Sequence, residues 1–309
     1  MTTTLPVKGI WAALWIPMTP KGTLDKAALS SHLQFLKQRG IHGVLALGST
    51  GCFPYFSLDE RKTILEAVAE LAAPLPVIAN VSHIAPRAVA ELAAHAKQTG
   101  VAGVGIMAPG FFPTAQDDML EHFLVAAEAS GLPCMLYNFP ELIGTRIEPQ
   151  TVAAFAQRAP MLAIKQSGGE FDYHHKLVEL GREYGFAVFS GADTRLPEAF
   201  AIGAAGCIGG LVNILPEAMI HLYRVCAAGH SGAIEPYASQ LRELGAIIDR
   251  IPFPLNVGGG MEARGFTVGV PQSRVSDTTQ ARYESIVTTL RDRFAAWGYP
   301  LHQPQPEDA

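Results

Sequence analysis

The residue best suited to covalent chemistry is Lys165. It closes the apolar run Met161-Leu-Ala-Ile and precedes the small and polar residues Gln166-Ser-Gly-Gly169. This position predicts an amine at the end of a buried strand, where loss of hydration disfavours the ammonium ion. A neutral amine can attack a carbonyl carbon and form a Schiff base. The alternative is a lysine just past the strand whose ammonium group extends into solvent.

A second candidate is Tyr137, which follows the apolar run Pro133-Cys-Met-Leu and begins Tyr137-Asn-Phe-Pro140. A phenol at a strand end can take up and return a proton during a reaction. The alternative is a tyrosine packed in a rim, with its hydroxyl bonded to protein. The lysine and the tyrosine support each other as parts of one site.

The segment Gly48-Ser-Thr-Gly51 is a tight turn of small residues and hydroxyls. Amides and hydroxyls in such a turn can bind an anion such as a carboxylate. Taken alone it is equally an ordinary connection between a strand and a helix.

These groups follow short apolar runs that alternate with longer amphipathic segments. The alternation is typical of parallel strands that are buried on both faces and joined by crossover helices. Eight evenly spaced runs predict a closed (β/α)8 barrel, in which catalytic groups sit at the carboxyl ends of strands. The predicted strands are residues 10–15, 43–47, 77–81, 103–107, 134–137, 162–165, 187–190 and 206–208.

Helical periodicity is clear in residues 58–71, 86–98 and 117–129. Ser57 and Glu60 resemble a capping box before the first of these, and Pro86 suits the first position of the second.

After the eighth strand the pattern becomes helical, from about residue 216 to residue 294. We therefore predict a catalytic barrel over residues 1–225 and a helical C-terminal extension over residues 226–309. Residues 252–260 contain two prolines and three consecutive glycines, and are expected to form a loop. The polar tail 304–309 is expected to fray.

The composition favours small-molecule chemistry in a compact protein, with 49% hydrophobic and 17% charged residues. A net charge of −5 without a Lys/Arg-rich run argues against nucleic acid as a partner. The sequence has no apolar signal core and no run near the ~18 apolar residues of a membrane span, so we expect a cytoplasmic protein. The cysteines lack metal-ligand spacing, which argues against a zinc site or a disulfide framework. They are Cys52, Cys134, Cys207 and Cys226.

Three motifs together resemble the dihydrodipicolinate synthase and N-acetylneuraminate lyase superfamily. Gly48-Ser-Thr-Gly51, Tyr137-Asn-Phe-Pro140 and Ile164-Lys-Gln-Ser167 have its order and spacing. Gly206-Cys-Ile-Gly-Gly210 and the stretch 264–271 resemble its eighth strand and C-terminal region, so the match covers essentially the whole chain. The resemblance also implies a homotetramer.

The resemblance implies a class I aldolase mechanism that needs no metal or other cofactor. Lys165 would condense with the C2 carbonyl of pyruvate or a larger 2-oxo acid, and Tyr137 would act as acid and base. The protonated imine withdraws electrons from C3, so that a carbanion there becomes an enamine. Ser49 and Thr50 would hold the substrate carboxylate. The other expected substrate-binding positions are Ser167, Gly191, Asp193 and Gly210.

Two features depart from dihydrodipicolinate synthases. Those enzymes have an arginine shortly after the Tyr-Asn-x-Pro motif for the second substrate's carboxylate, whereas this chain has Glu141-Leu142 and only then Arg146. Their inter-subunit tyrosine is replaced by Phe111 and Phe112, which cannot relay protons. A role in lysine biosynthesis is therefore disfavoured.

The sequence around the Tyr-Asn-x-Pro motif is closer to that of sialic acid lyases, but the match at their sugar-binding positions is incomplete. Gly191 and Asp193 match sugar-hydroxyl contacts of that branch, whereas Thr194 replaces an acidic residue and Gly210 replaces a serine. Cys52 replaces the glutamate that commonly ends the Gly-(Ser/Thr)-Thr-Gly-Glu motif. These differences favour cleavage of a shorter 2-keto-3-deoxy sugar acid to pyruvate and an aldehyde. The alternatives are a 2-keto-3-deoxy sugar acid dehydratase, a dihydrodipicolinate synthase and a non-catalytic 2-oxo acid binding protein.

Some of these side chains have simpler structural interpretations. Asp193 could instead cap the helix predicted at residues 194–200. Cys52 has no evident activating base, so we predict a packing role. His174 and His175 fall in a polar helical pattern and are predicted to lie on the surface.

Overall fold

The computed structural model describes residues 7–303, and its centre is a closed barrel of parallel strands. The strands are β1 Gly9–Ala13, β2 Gly43–Ala46, β3 Val77–Asn80, β4 Gly103–Met107, β5 Cys134–Asn138, β6 Met161–Gln166, β7 Ala187–Ser190 and β8 Gly206–Gly209. Each strand pairs with the next along the chain, and β8 closes the barrel by pairing with β1. The predicted (β/α)8 barrel is confirmed, with strand ends shifted by at most two residues.

The strands are almost entirely buried, which explains their continuous apolar character. Side chains on the outer face pack under the helices, and side chains on the inner face fill the barrel. Trp11 and Phe189 contact each other edge to face in this interior, with ring centres 6.0 Å apart. The barrel interior is therefore a packed core and not an open pore.

Helices follow the strands and cover the barrel. The α-helices within residues 7–303 are α1 Lys26–Gln38, α2 Leu58–Ala72, α3 Pro86–Gln98, α4 Gln116–Ser130, α5 Pro140–Ile143, α6 Pro149–Arg158, α7 Phe171–Tyr184, α8 Leu196–Ala201, α9 Pro216–Ala227, α10 Glu235–Ile248, α11 Leu255–Ala263 and α12 Asp277–Ala296. The predicted capping box is present, because Ser57 and Glu60 exchange side-chain to backbone hydrogen bonds. Pro86 opens α3, as predicted.

The region beyond β8 is helical, but the loop predicted at residues 252–260 is wrong. Helix α11 contains all three consecutive glycines, and they are buried. A Cβ atom at Gly258 would lie 3.0 Å from the Trp15 ring, and one at Gly260 would collide with Ile214. Close packing that only glycine permits therefore outweighs the low helix propensity of glycine.

Helix α9 follows β8, and the later helices α10, α11 and α12 pack against one another as a C-terminal layer. The domain division at residue 225 stays a prediction. The tail 304–309, for which fraying was predicted, lies outside the described residues. Within residues 7–303, none of the helices has the length and apolar character needed to cross a bilayer.

Candidate active site

Lys165 and Tyr137 are neighbours inside the carboxyl end of the barrel. Strands β5 and β6 pair with Tyr137 directly opposite Lys165. Both side chains are buried, with 4% of Lys165 and 2% of Tyr137 exposed. Lys165 Nζ donates a hydrogen bond to Tyr137 Oη at 3.0 Å and lies 4.2 Å from the centre of the ring. The amine therefore stays within the barrel and does not extend into solvent.

The turn after β2 brings hydroxyl groups to this pair. Ser49 Oγ lies 3.3 Å from Tyr137 Oη, and Thr50 is buried at the edge of the same cleft. A Cβ atom at Gly51 would lie only 2.8 Å from Leu14 O, so glycine lets the turn pack against the chain that follows β1. The turn of small residues thus places one hydroxyl beside Tyr137 and a second one in the same cleft.

Ser167 and Gly191 lie beside Lys165, after β6 and β7. Ser167 N donates to Asn138 O at 2.9 Å, and Gly191 N donates to Gln166 O at 2.7 Å. A Cβ atom at Gly191 would collide with Ser167 Oγ and lie 3.1 Å from Lys165 Cε. Only glycine leaves room for both side chains at this point.

The Asp193 carboxylate is turned toward β8. It accepts hydrogen bonds from Leu211 N at 3.0 Å and from Cys207 Sγ at 3.3 Å. The helix-cap interpretation is wrong, because no side chain caps the short helices that begin here. Burial raises the pKa of Asp193, while the two hydrogen bonds and the charge of Lys165 oppose that rise.

Gly210 lies between Thr50 and Asp193. A Cβ atom there would be 3.5 Å from Thr50 Oγ1 and 3.8 Å from Asp193 Oδ2. Seven of the eight predicted site residues line one cleft of about 410 Å³, and the eighth, Ser49, contacts Tyr137. The seven are Thr50, Tyr137, Lys165, Ser167, Gly191, Asp193 and Gly210.

The C-terminal layer supplies a wall of this cleft that the sequence did not reveal. Asn256 Nδ2 donates to Asp249 Oδ1 at 3.1 Å in this wall. Asp249 is exposed as a whole, but partial burial of its carboxyl group raises its pKa, and the hydrogen bond from Asn256 opposes the rise. No local motif marks these residues, because they reach the barrel only through the packing of the extension. The wall residues are Gly245, Ile248, Asp249, Phe253, Asn256 and Val257.

Arg146 does not take part in this cleft. It forms ion pairs with Glu148 at 3.3 Å and with Glu170 at 3.5 Å. These residues line a neighbouring groove of about 920 Å³ that shares Gly169 and Arg195 with the cleft. The groove is the larger cavity, but neither Lys165 nor Tyr137 reaches it, so its size does not mark the site of the chemistry.

The predicted packing role of Cys52 agrees with its surroundings. Burial raises the pKa of the Cys52 thiol to about 11, so the thiol is protonated at neutral pH. The surface prediction is right for His175, which is exposed, and wrong for His174, which is buried. His174 lies three residues before Leu177 on the inward face of α7, and burial lowers its pKa to about 4. A neutral imidazole tolerates such a position.

The positions that depart from dihydrodipicolinate synthases are at the surface. Phe111 is 88% exposed and Phe112 is 64% exposed in the connection after β4. The Glu141 carboxylate lies against Gly168, where a Cβ atom would collide with it. Across the described residues, no group of three or more His, Cys, Asp or Glu side chains could hold a metal ion.

Comparison with known proteins agrees with this architecture. The model of the dihydrodipicolinate synthetase family matches residues 6–291. The 4-hydroxy-tetrahydrodipicolinate synthase of Haloarcula marismortui is 29% identical over 298 residues, 93% of this chain and 95% of that protein. The protein of the same name from Staphylococcus carnosus is 30% identical over 248 residues, 79% of this chain and 84% of that protein. The crystal structure of dihydrodipicolinate synthase from Aquifex aeolicus has a TM-score of 0.86 at 25% identity, over 96% of this chain and all of that one (100%). The chain therefore belongs to the dihydrodipicolinate synthetase family and is a Schiff-base lyase of the class I aldolase type.

Proposed function

We propose that the protein cleaves a 2-keto-3-deoxy sugar acid into pyruvate and an aldehyde through an imine on Lys165. The observation that carries the proposal is a chain of contacts at the base of the cleft. Lys165 Nζ lies 3.0 Å from Tyr137 Oη, which lies 3.3 Å from Ser49 Oγ. A buried amine beside a phenol with a second hydroxyl in reach is the set of groups that imine chemistry needs.

The first step forms the imine. The neutral amine of Lys165 adds to C2 of the 2-oxo acid, and an amine proton moves to the carbonyl oxygen. Tyr137 then gives its proton to the departing hydroxyl, which leaves as water and yields a protonated imine and a phenolate. The hydroxyls of Ser49 and Thr50 would hold the substrate carboxylate, so that C2 faces the amine.

The second step breaks the bond between C3 and C4. The protonated imine accepts the electron pair of that bond and becomes an enamine, while the Tyr137 phenolate takes the proton of the C4 hydroxyl. The C4 fragment leaves as an aldehyde. Protonation of C3 and addition of water to the imine then release pyruvate and restore the Lys165 amine.

Polar groups along the outer cleft support a hydroxylated substrate. The carboxylates of Asp193 and Asp249 and the amide of Asn256 line the part of the cleft beyond the lysine. Carboxylate and amide oxygens accept hydrogen bonds from sugar hydroxyls. Ser167, Gly191 and Gly210 complete the site, the two glycines by leaving space.

Dihydrodipicolinate synthesis is the second candidate, because curated relatives at 29–30% identity carry that name. Two features of this chain disfavour it. Glu141 stands near the position of the arginine that would bind the second substrate's carboxylate, and its charge would repel that carboxylate. Phe111 and Phe112 provide no hydroxyl where a tyrosine relays protons.

Borohydride reduction in the presence of pyruvate tests the imine. One pyruvate should be added per chain, and peptide mapping should place it on Lys165. An unchanged mass would indicate a noncovalent binding protein, and an adduct confined to other lysines would overturn the assignment.

The reaction itself is tested with a panel of 2-keto-3-deoxy sugar acids. Release of pyruvate together with an aldehyde supports the aldolase. Consumption of a sugar acid without pyruvate would instead identify a dehydratase. Faster condensation of pyruvate with aspartate semialdehyde than cleavage of any sugar acid would identify a dihydrodipicolinate synthase.

We also propose a homotetramer in the cytoplasm. The tetramer is supported by family resemblance, and a reducing compartment is supported by the four free cysteines. Light scattering at micromolar concentration should give four times the mass of the 33.0 kDa chain. A monomeric mass would contradict the tetramer.

A further inference from the structure

A buried arginine lies behind the carboxylate-binding turn. Arg61 on α2 is 2% exposed, and burial lowers its pKa to about 10. Its guanidinium donates hydrogen bonds to Asn80 O at 2.8 Å and to Ser82 O at 2.9 Å, and it lies over the ring of Phe53. Within residues 7–303 it has no carboxylate partner, so its charge is balanced by the two carbonyl dipoles at and just after the end of β3 and by the face of the Phe53 ring. Burying a charged side chain without a carboxylate partner costs desolvation free energy, which indicates that the arginine has a specific role.

The side chains of the two residues held by Arg61 continue the network. Ser82 Oγ donates to Asn80 Oδ1 at 2.6 Å and accepts from Met107 N at 2.8 Å. Asn80 Nδ2 donates to Leu47 O at 2.7 Å. Asn80 and Ser82 are 2% and 4% exposed. The network therefore links the carboxyl ends of β2, β3 and β4 through buried side chains.

Leu47 is the point at which this network meets the active site. It directly precedes Gly48-Ser-Thr-Gly51 and has a φ of 57°, in the left-handed region that costs a leucine about 1 kcal/mol. The hydrogen bond from Asn80 is made to its carbonyl oxygen, and so holds the peptide that joins Leu47 to Gly48 in this orientation. The same peptide sets the direction in which Ser49 and Thr50 leave the strand.

We propose that Asn80, oriented by Arg61 and Ser82, is a positioning residue for the substrate carboxylate. It does not line the cleft and acts only through the turn. The inference rests on the proposed function, because it assumes that Ser49 and Thr50 bind the carboxylate of the 2-oxo acid. Its consequence is specific: loss of the Asn80 amide should weaken recognition of a carboxylate and leave the reactivity of Lys165 intact.

The test compares two carbonyl compounds in borohydride trapping on Lys165. Pyruvate carries the carboxylate, whereas acetaldehyde has the carbonyl group without it. In Asn80→Ala and Asn80→Asp, which both lack the amide donor, half-maximal trapping should need roughly 10-fold more pyruvate, the effect expected for loss of one buried hydrogen bond. The acetaldehyde concentration for half-maximal trapping should stay within about twofold of wild type.

Two serine variants provide a graded test and its control. Ser82→Ala removes the hydroxyl that orients Asn80 and should raise the pyruvate requirement by roughly threefold, with acetaldehyde unaffected. Ser130→Ala removes an equally buried hydroxyl that also makes two hydrogen bonds, to Ala126 O and from Leu132 N, far along α4 from the turn. Ser130→Ala should change neither the pyruvate nor the acetaldehyde concentration for half-maximal trapping.

The outcomes separate this inference from the proposed function. If wild-type protein traps no pyruvate on Lys165, the proposed function fails. Suppose that wild type traps pyruvate, but that Asn80→Ala weakens the trapping of pyruvate and of acetaldehyde equally, or changes the trapping of neither. Asn80 is then only structural, and the inference is overturned. Should both Asn80 variants fail to fold, Ser82→Ala decides the matter. The measured quantity is then the ratio of the pyruvate to the acetaldehyde concentration for half-maximal trapping, and a ratio equal to that of wild type overturns the inference.

Discussion

The inner and outer halves of the cleft are built in different ways. In the inner half, Lys165, Tyr137 and Ser49 lie on strands or directly after them, joined by contacts of 3.0 and 3.3 Å. In the outer half, Asp193 lies in a connection, and the Asp249–Asn256 pair comes from the C-terminal layer. Strand register fixes the inner groups, whereas the packing of helices fixes the outer ones.

This difference separates bond making from substrate choice. A barrel strand cannot shift without breaking its hydrogen bonds to both neighbours, so the lysine and tyrosine keep one geometry. The outer wall is held by side-chain packing and a few hydrogen bonds, and can change without disturbing the strands. Substitutions in the inner half should therefore affect turnover, and substitutions in the outer half should affect affinity.

The largest effect is expected for Lys165→Ala. Turnover should fall by roughly 10⁴-fold or more, because no other group can form the imine, and pyruvate trapping should disappear. The variant should unfold near the wild-type temperature, since the barrel hydrogen bonds remain. Lys176→Ala, which removes an exposed lysine on α7, is the control and should behave as wild type. Substantial residual turnover in Lys165→Ala would place the chemistry elsewhere.

The next largest effect is expected for Tyr137→Phe. The hydroxyl contacts both Lys165 Nζ and Ser49 Oγ, so its loss removes proton transfer but leaves the amine. We expect kcat for cleavage to fall by about 10²- to 10⁴-fold, the usual contribution of a general acid or base, while trapping of the pyruvate imine on long incubation falls much less, because water can supply the proton for the slower dehydration step. Stopped-flow or steady-state release of pyruvate measures kcat, and mass spectrometry measures the amount of trapped imine. Cleavage at the wild-type rate would remove Tyr137 from the mechanism.

The sequence was sufficient to predict most of the inner half. Apolar runs that end at Tyr137 and Lys165 predict adjacent parallel strands, and adjacent strands bring their carboxyl ends together. The turn at residues 48–51 follows another such run. The family motifs then gave these positions their expected roles, so the site could be assembled without knowledge of side-chain packing.

The outer half could not be predicted in this way. The Asp249–Asn256 pair depends on how α10 and α11 pack on the barrel, and no periodic pattern encodes that contact. Helix α11 itself was missed, because Gly258 and Gly260 argue locally against a helix, and only the nearby Trp15 and Ile214 explain them. His174 was likewise misplaced, since its polarity concealed its position on the buried face of α7.

Asp249→Ala should have a smaller effect that falls on affinity. Asp249 is exposed in the outer wall, so its removal should not disturb folding. Loss of one hydroxyl acceptor should raise KM for the sugar acid by roughly 2- to 10-fold with kcat nearly unchanged. The concentration dependence of pyruvate trapping should stay at the wild-type value, because the three-carbon pyruvate is expected to occupy only the inner half beside Lys165. A fall in kcat without a change in KM would show that the two halves are not separable.

For Asp193→Asn the smallest expected effect is on stability without substrate, while loss of a sugar-hydroxyl contact should in addition raise KM, as for Asp249→Ala. Burial raises the native pKa of Asp193, so folding favours the protonated acid, and that stabilisation is lost as pH rises through the native pKa. Asparagine cannot titrate; its Oδ1 can still accept from Leu211 N, while the Cys207 thiol can turn its proton away. As pH rises from about 4 toward neutrality, the difference in Tm between the variant and wild type should therefore move in favour of the variant. A Tm difference that is constant or shrinks over this range would mean that hydrogen bonds and the Lys165 charge, and not burial, dominate at Asp193.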